Sequence, residues 1–370
     1  MENKCFAFVG SWALGPGEKG LSIYAFALET GELTFLRRIH PEISVGYQYL
    51  CREAGLLYVT DEAVRPGITG GYVQAFRLDG EEGLRDFSGA ETLLPKPSCF
   101  TVDRTGDYAL AAHHSGRGTV TKLERSEAGS FSSRTVTDDA GVVLFRREPE
   151  GGLGQICDVY VTPGRKPGHP LSHQHCVTAD PTGELYLVCD KGQDAIYSFR
   201  LDWETGRLML RSTVDVNDGY GPRYVAFHPE TNLVYENNEN KPVLLAFRYD
   251  PARGTLTQAE ALTLAEEGGG ADLVMHPGGK LLYASLRGAN RICAVALDGE
   301  GKMRLEQSVD CGGDYPRGLC LSPDGRFLLC ANQESGDVTV FALARDGRIL
   351  DPVGQIPAHL PANLTVVSMT

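Results

Sequence analysis

Short apolar runs separated by tight turns recur from one end of the chain to the other. A typical pair is YVAFHP at residues 224–229, followed by LVY at residues 233–235. Other runs, such as residues 195–202 and 338–343, alternate apolar and polar positions with a period of two, and Gly, Asp and Pro stand between the runs. This alternation is typical of β-strands, and the period of an amphipathic helix is absent. The pattern therefore predicts an all-β fold.

The apolar runs belong to a repeat whose turns are marked by a proline. These prolines are Pro181, Pro229, Pro277 and Pro323, at spacings of 48, 48 and 46 residues. A fifth copy has Arg104 in the place of the proline, and two further copies precede it. Each repeat holds four strands, which is the content of one propeller blade. We therefore predict a seven-bladed β-propeller with four-stranded antiparallel blades, formed as a single domain by residues 1–370.

Two irregularities interrupt the repeat. The first copy has only its second strand, near residues 6–10, and the apolar run at residues 364–367 can supply the missing strand and close the ring. The interval from Arg104 to Pro181 exceeds one repeat by about 29 residues, which indicates an extra segment within one unit. We expect this insertion at about residues 131–171, before the inner strand of the fourth blade, where it can fold over the rim as a lid.

Polar residues recur at one end of the predicted hairpins. Residues equally distant from a hairpin turn lie opposite each other, and the first strand of a blade lies nearest the propeller axis. Six positions before the turn stand His175, Arg223 and Arg317. Nine and ten positions after it stand Ser11-Trp12, Asp61-Glu62, His113-His114, Asp190-Lys191, Asn238-Glu239, Leu286-Arg287 and Asn332-Gln333. We predict that these positions converge on one mouth of the channel and form a ligand site there.

Three of the recurring side chains are guanidiniums, contributed by Arg223, Arg287 and Arg317. Guanidiniums that meet near one axis repel each other unless carboxylates or an anionic ligand compensate their charge. We interpret the cluster as an anion-binding site. The alternative is that strand ends carry polar residues only because the adjoining loops are solvated.

Two histidines, His173 and His175, are two positions apart, so on a strand both point to the same face, as a metal site would require. The sequence identifies no third ligand, although His113 and His114 are candidates by blade geometry. A structural or general-base histidine is the preferred interpretation, so we predict no metal and no cofactor. His175 is in register with Arg223 and Arg317, which favours it for the pocket.

The overall charge limits the choice of partners. The chain has 48 acidic residues against 35 Lys and Arg, which gives a net charge of −13. Such a charge disfavours non-specific binding to nucleic acid or to anionic membranes, so we predict neither partner. Ten scattered cysteines without a CxxC pair, and an N-terminal apolar run too short for a signal peptide, predict a cytoplasmic protein with reduced thiols. The oligomeric state stays open.

Several stretches carry a resemblance to a known family. They are Phe8–Ser11, His173–His175, Gly221–Arg223, Phe227–Pro229, Asn238–Glu239, Arg287–Gly288, Pro316–Gly318, Ser322–Phe327 and Ala331–Gln333. From residue 6 to about residue 350 the chain is similar to the propeller lactonases, the family that includes bacterial 6-phosphogluconolactonases and the fungal carboxy-muconate lactonising enzyme. The resemblance implies a seven-bladed fold, no obligatory metal and a site at the axial funnel.

The resemblance also implies roles for individual residues. In the muconate-lactonising branch the proposed site is a His, an Arg, a Glu and a second Arg, which fall on His175, Arg223, Glu239 and Arg287. Arg317 would be a further anion contact. The chain departs from the family pattern at His113-His114, where Asn-Tyr is usual, and at Cys176, which replaces a small hydroxyl residue.

These observations predict a lactone hydrolase, similar to 6-phosphogluconolactonase, for an anionic sugar-type lactone that is phosphorylated or carboxylated. Either His175 or Glu239 would be the base, Arg223 would stabilise the oxyanion, and Arg287 and Arg317 would hold the anionic group. The expected substrate contacts are Arg317, His173, Asn238, Gln333, His113 and His114. Two alternatives stay open, a muconate-lactonising cycloisomerase that uses the same residues and a propeller that binds a metabolite without chemistry.

Overall fold

The computed structural model describes residues 4–13, 17–63, 65, 67–114, 119–162, 164 and 171–369, with the side chains of residues 119 and 120 excepted. The described residues form thirty β-strands and no α-helix. Twenty-eight of the strands form seven antiparallel sheets of four strands each. The predicted all-β, seven-bladed propeller with four-stranded antiparallel blades is confirmed.

The strands are numbered along the chain and grouped here by blade. Blade 1 contains β1 (Cys5–Ser11), β2 (Gly20–Phe26), β3 (Leu33–Ile39) and β30 (Pro361–Ser368), and blade 2 contains β4 (Val45–Cys51), β5 (Leu56–Asp61), β6 (Tyr72–Asp79) and β7 (Gly83–Glu91). Blade 3 contains β8 (Pro97–Val102), β9 (Tyr108–His113), β12 (Gly141–Arg147) and β13 (Leu153–Val161), while β10 (Thr119–Arg125) and β11 (Phe131–Thr137) form a separate hairpin.

The remaining four blades each use consecutive strands. Blade 4 contains β14 (Gln174–Ala179), β15 (Tyr186–Asp190), β16 (Ala195–Asp202) and β17 (Arg207–Asp215), and blade 5 contains β18 (Pro222–Phe227), β19 (Leu233–Asn238), β20 (Lys241–Asp250) and β21 (Thr255–Thr263). Blade 6 contains β22 (Gly269–Met275), β23 (Leu281–Arg287), β24 (Arg291–Leu297) and β25 (Met303–Asp310), and blade 7 contains β26 (Pro316–Leu321), β27 (Phe327–Asn332), β28 (Asp337–Leu343) and β29 (Ile349–Pro357).

The inner strands of the blades form a closed ring. In order around the axis they are β30, β4, β8, β14, β18, β22 and β26, and each contacts the next, with β26 returning to β30. Blade 1 joins the two ends of the chain, because β30 pairs with β1 along its whole length. The C-terminal apolar run therefore supplies the missing inner strand, as the sequence indicated.

Neighbouring blades are also held together by a repeated hydrogen bond near their outer turns. Buried tyrosines on the second strands of blades 5 and 6, Tyr235 and Tyr283, donate to the carbonyls of Gly301 and Gly347 on the following blade, at 2.8 and 2.5 Å. Both glycines have positive φ angles, 79° and 83°, which a glycine adopts without steric cost. The apolar second and third strands pack between blades, whereas the fourth strands alternate buried and exposed positions.

The insertion lies earlier in the chain than expected. The extra residues form the β10–β11 hairpin, between the second and third strands of blade 3, whereas residues 141–161 supply the third and fourth strands of that blade. The expected bounds of about 131–171 are therefore wrong, because the apolar run at residues 141–145 continues the blade and pairs with β9. Residues 163 and 165–170 lie outside the described residues, so the lid stays a prediction.

Candidate active site

A β-bulge interrupts the inner strand of every blade near the same mouth of the channel. The ladder between inner and second strands shifts after Val45, Pro97, Gln174, Pro222, Gly270 and Pro316, and at Gly10/Ser11 in blade 1. A bulged residue is left out of the ladder, and its side chain can be directed differently from its neighbours. In blades 4, 5 and 7 the bulged residue is His175, Arg223 or Arg317, and all three line the cavity at this mouth.

At the end of each second strand, one side chain faces the cavity and the side chain before it is buried in the blade. The last residue of the predicted pair in each blade lines the cavity, and we call these seven the rim residues: Trp12, Glu62, His114, Lys191, Glu239, Arg287 and Gln333. The residue before each of them is buried inside the blade, with at most 1% of its surface exposed. Successive side chains on a strand point to opposite faces, which explains the sorting.

The cavity at this mouth has a volume of about 960 Å³ and a positive lining. Five cationic side chains, Lys96, Lys191, Arg223, Arg287 and Arg317, face three carboxylates, Glu62, Glu239 and Glu334. This excess of positive charge lies within a chain whose net charge is −13. The lining therefore has a local charge opposite in sign to that of the whole molecule.

Glu239 is the centre of one cationic cluster. Its Oε1 lies 2.7 Å from Lys191 Nζ, and its Oε2 lies 3.1 Å from Arg223 Nε and 3.5 Å from Arg287 Nη2. Burial alone would raise the pKa of Glu239, but Lys191, Arg223 and Arg287 together hold it far below its usual value of 4.5. Burial lowers the pKa of Lys191, and the Glu239 carboxylate opposes that shift. Glu239 is therefore ionised at neutral pH.

Arg223 is the most enclosed of the cations. Its side chain is 3% exposed, and besides Glu239 it donates to the carbonyl of Ala271. Its guanidinium also lies over the ring of Tyr224, at 4.8 Å from the centroid. A guanidinium has five N–H groups, so Arg223 keeps donors available for a ligand in the cavity.

Three histidines meet beside this cluster. The ring centroid of His114 lies 5.7 Å from that of His173 and 5.1 Å from that of His175. Burial lowers the pKa of His175 well below 6.5, and the nearby Arg223 lowers it further, so the imidazole is neutral. Its Nδ1 is buried and has no hydrogen-bond partner among the described residues. No group of three or more ligands suited to a metal ion occurs in the part of the chain that the structure describes.

The opposite wall carries a second cluster, built around Trp12. The guanidinium of Arg317 lies 3.8 Å from the centroid of the Trp12 ring and donates to Gln333 Oε1 at 3.1 Å. The indole N–H of Trp12 donates to Glu62 Oε2 at 3.0 Å. Burial lowers the pKa of Arg317 to about 10 and raises that of Glu62, against the opposing effect of Arg317.

The structure brings together eight of the ten residues singled out from the sequence. They are His114, His173, His175, Arg223, Glu239, Arg287, Arg317 and Gln333. His113 and Asn238 do not reach the cavity, because each is the buried member of its pair. His113 lies within hydrogen-bonding distance of the Ala111 carbonyl, and Asn238 donates to the Glu236 carboxylate and the Val243 carbonyl. The expectation that these two contact substrate is therefore wrong.

The repeat placed Lys191, Glu62 and Trp12 at this mouth in the same register as Glu239, but they were not chosen as catalytic or substrate-binding residues. The alternation of side chains along the second strand would have selected them, had it been applied to each pair. Lys96 and Tyr315 also line the cavity, but they precede the inner strands, where the repeat gives no signal.

A larger cavity, of about 1310 Å³, lies between the outer turns of blades 2 and 3. Three of the arginines that line it already bind other side chains of the protein. Arg147 donates to the hydroxyl of Tyr58 at 2.8 Å, and Arg146 donates to that of Tyr108 at 2.6 Å. Arg104 pairs with Glu184 at 2.9 Å. These contacts stabilise the outer wall of the propeller, so we place the active site at the opposite mouth.

Comparisons with known proteins agree with the fold. The family described as "Lactonase, 7-bladed beta-propeller" matches residues 6–366. The 6-phosphogluconolactonase of Bacillus subtilis (strain 168) is 24% identical over 349 residues, which cover 91% of each chain. That of Serratia proteamaculans (strain 568) is 28% identical over 336 residues, which cover 89% of this chain and 90% of the relative.

A solved structure with a similar fold is the periplasmic gluconolactonase PpgL of Pseudomonas aeruginosa. It has a TM-score of 0.84 and 24% sequence identity, and the match covers 99% of both chains. Among the described residues, we find no apolar helix of the length that a bilayer crossing needs.

Proposed function

The chain belongs to the seven-bladed β-propeller lactonase family, and on that premise we propose that its axial cavity hydrolyses a lactone bearing an anionic group, of the 6-phosphogluconolactone type. The observation that carries the proposal is the meeting of Arg223, Arg287 and Lys191 on one carboxylate, beside a neutral buried imidazole. Such an arrangement offers both a base and fixed positive charge, the two requirements of ester hydrolysis.

The charge of the cavity supports an anionic substrate. Five cations and three carboxylates line it, and burial favours the protonated form of Glu62, one of the three. A phosphate or carboxylate substituent would satisfy this excess, and arginine can bind either group through two parallel hydrogen bonds. Relatives named 6-phosphogluconolactonase act on a lactone of this kind, which makes the same class the first substrate to test.

The reaction needs a water molecule, a base and a cation. Water adds to the lactone carbonyl, His175 accepts the proton that it loses, and the carbonyl oxygen becomes an oxyanion. Arg223, held rigidly by Glu239 and the Ala271 carbonyl, stabilises that oxyanion. The ring C–O bond then breaks, and the imidazolium returns its proton to the leaving alkoxide. The product is the open-chain hydroxy acid.

His175 suits the role of base better than Glu239. Both oxygens of Glu239 are bound by cations, which hold the carboxylate in its ionised form and occupy the lone pairs that would accept a proton. The imidazole of His175 is neutral, and its Nδ1 is unpartnered among the described residues. Glu239 instead positions Arg223, Arg287 and Lys191. Arg317 on the facing wall is placed to hold the substrate's anionic group.

The proposal is tested by acid release from 6-phosphogluconolactone and glucono-δ-lactone, followed in water enriched in heavy oxygen. Hydrolysis incorporates one solvent oxygen into the carboxylate product, whereas a cycloisomerase incorporates none. We expect the wild type to turn over the phosphorylated lactone. An unlabelled product, or ligand-induced thermal stabilisation without any turnover, would favour one of the alternatives instead.

The assignment of Arg223 is tested by Arg223→Lys, which keeps the charge but loses the planar guanidinium. We expect kcat to fall by about 10²-fold or more, because the donor at the oxyanion is misplaced. Arg248→Lys, at an exposed position on the same blade, is the matched control and should leave kcat unchanged. Equal rates for the two variants would remove Arg223 from the mechanism.

We also keep the cytoplasm as the proposed location, on the scattered cysteine pattern of the sequence. The Pseudomonas aeruginosa protein of similar fold is a periplasmic gluconolactonase, so the periplasm is the competing location. Fractionation of the native host, with the protein detected by antibody, decides between the two compartments.

A further inference from the structure

The residue that precedes the inner strand occupies an equivalent place in six blades, which we call the pre-strand position. In each of these blades its backbone carbonyl accepts a hydrogen bond from the N–H of the rim residue across the hairpin. The six pairs, at 2.7–3.1 Å, are Trp12 to Leu360, Glu62 to Ser44, His114 to Lys96, Lys191 to His173, Glu239 to Gly221 and Gln333 to Tyr315. The repeated bond allows the six residues to be compared directly.

Four of the six pre-strand residues have a left-handed backbone. Their φ angles are 48° at Lys96, 70° at Gly221, 62° at Tyr315 and 45° at Leu360. A residue with a Cβ atom pays a steric cost in this region, and glycine does not. Gly221 forms the same hydrogen bond and the same turn in blade 5. The fold therefore does not need a side chain at Lys96, Tyr315 or Leu360, and each of them adds strain.

All three of these strained residues line the active-site cavity. Strain that persists at a binding site indicates that the side chain is retained for its function. Tyr315 already serves Arg287, whose Nη1 lies 3.3 Å from its hydroxyl, and Leu360 offers an apolar surface. Lys96 is the member of the three that brings a charge to the cavity.

We propose that Lys96 is a specificity-determining residue that binds the anionic substituent of the lactone, an inference that rests on the proposed function. Burial raises the pKa of the Glu62 carboxyl, and Arg317, Lys96 and Lys191 all act electrostatically to lower it. Lys96 therefore acts on the part of the cavity that Glu62 occupies, and its backbone carbonyl is bonded to His114 of the same lining.

The test is Lys96→Gly, which removes the charge and the strain together. We expect the KM for 6-phosphogluconolactone to rise about tenfold or more, because a charged hydrogen bond is lost. The KM for uncharged glucono-δ-lactone should stay within about twofold of the wild-type value, since its ring carries no anion to lose. The melting temperature should equal or exceed that of the wild type, because glycine suits the left-handed backbone. Stability and substrate affinity thus move in opposite directions.

Leu93→Gly is the matched control. Leu93 lies three positions before Lys96, has a φ of 63°, is 58% exposed and does not line the cavity. Its replacement should relieve strain in the same way and leave both KM values unchanged. Lys96→Arg keeps the positive charge, so its KM for the phosphorylated lactone should stay close to the wild-type value.

Two results would overturn the proposal. One is an unchanged KM of Lys96→Gly for the phosphorylated lactone, and the other is an equal rise for both lactones. If the wild type hydrolyses neither lactone, the proposed function fails, and Lys96 is then tested with inorganic phosphate alone. Thermal stabilisation of the wild type by phosphate that is lost in Lys96→Gly supports the anion contact, whereas equal stabilisation of both proteins rejects it.

Discussion

In the mechanism that we propose, Glu239 organises the cationic cluster without taking part in proton transfer. It neutralises part of the charge of Lys191, Arg223 and Arg287, at 2.7, 3.1 and 3.5 Å. Removing one partner of a buried ionic group leaves the others uncompensated, which costs more than the net value of the pair. The role of Glu239 is therefore measurable in stability as well as in rate.

We expect Glu239→Gln to lower the free energy of unfolding near pH 7 by about 3 kcal/mol. The pKa of Glu239 is lowered in the folded protein, so above its usual value of 4.5 the stabilising charge is fully present. Below that pH the unfolded chain takes up the proton first, and the stabilisation is progressively lost. The difference in the free energy of unfolding between wild type and variant, which we call the stability gap, should therefore narrow as the pH falls below 4.5.

Urea unfolding of both proteins between pH 3 and pH 8, roughly the range in which carboxylates titrate, measures this gap. Glu267→Gln, at an exposed loop position, is the control and should show no such dependence. A gap that is constant with pH would contradict the lowered pKa.

At the residue scale the sequence predicted much of the site, because the repeat places equivalent residues in register. His175, Arg223 and Arg317 were found as one set, and Glu239 and Arg287 as part of another. The wrong choices, His113 and Asn238, came from reading each pair as a unit although neighbouring side chains on a strand point to opposite faces. Lys96 could not be predicted, since its direction depends on a backbone angle that no hydrophobic pattern reveals.

At the scale of the element, the bulges decide which inner-strand side chains reach the cavity. Each blade has one, but only in blades 4, 5 and 7 does the bulged residue line the cavity. In blades 3 and 1 the bulged residues are Ser98 and Ala362, which do not line the cavity. In these two blades the rim residues His114 and Trp12 line it instead. The sequence showed the polar residues but not the bulges, because an added residue leaves the apolar alternation almost unchanged over so short a strand.

The β10–β11 hairpin is the element least connected to the propeller. It pairs with no blade, and Leu123 and Phe131 on it are 72% and 64% exposed. Its outer ends, Thr119 and Thr137, are paired, so a short link can join the chain across them. An isolated two-stranded ribbon contributes little stability to the domain that bears it.

We therefore expect that replacing residues 119–137 by two glycines leaves the melting temperature within a few degrees of the wild-type value and the KM unchanged. Calorimetry and lactone kinetics on the purified variant measure both. A large loss of affinity would instead give the hairpin a role at the mouth.

The place of the hairpin in the chain was mispredicted because the repeat spacing reveals an excess of residues within a unit but not which strands they separate.

At the scale of the whole molecule, stability depends on the closure of the ring through β30. Val366 on that strand is 3% exposed and packs in one cluster with apolar residues of blades 1 and 7. Deleting two buried methyl groups costs their transfer free energy and leaves a cavity. Damage at this seam should weaken all seven blades at once, because each inner strand contacts the next around the ring.

We expect Val366→Ala to lower the free energy of unfolding by about 2 kcal/mol. The protein should still unfold in a single cooperative transition, shifted to a lower denaturant concentration. Val353→Ala is the matched control, since Val353 lies on the outer strand β29 and is 49% exposed. Its effect should be within about 0.5 kcal/mol of zero. Two separate transitions in Val366→Ala would show that the blades unfold independently.

Blade 1 is assembled from the two ends of the chain, and Met369 N–H donates to the Lys4 carbonyl at 2.8 Å. Two residues of this blade line the cavity. Trp12 directly follows β1, and Leu360 directly precedes β30. During translation the ring of blades stays open until β30 leaves the exit tunnel and pairs with β1. A nascent or truncated chain that lacks β30 therefore has no closed ring and no complete cavity.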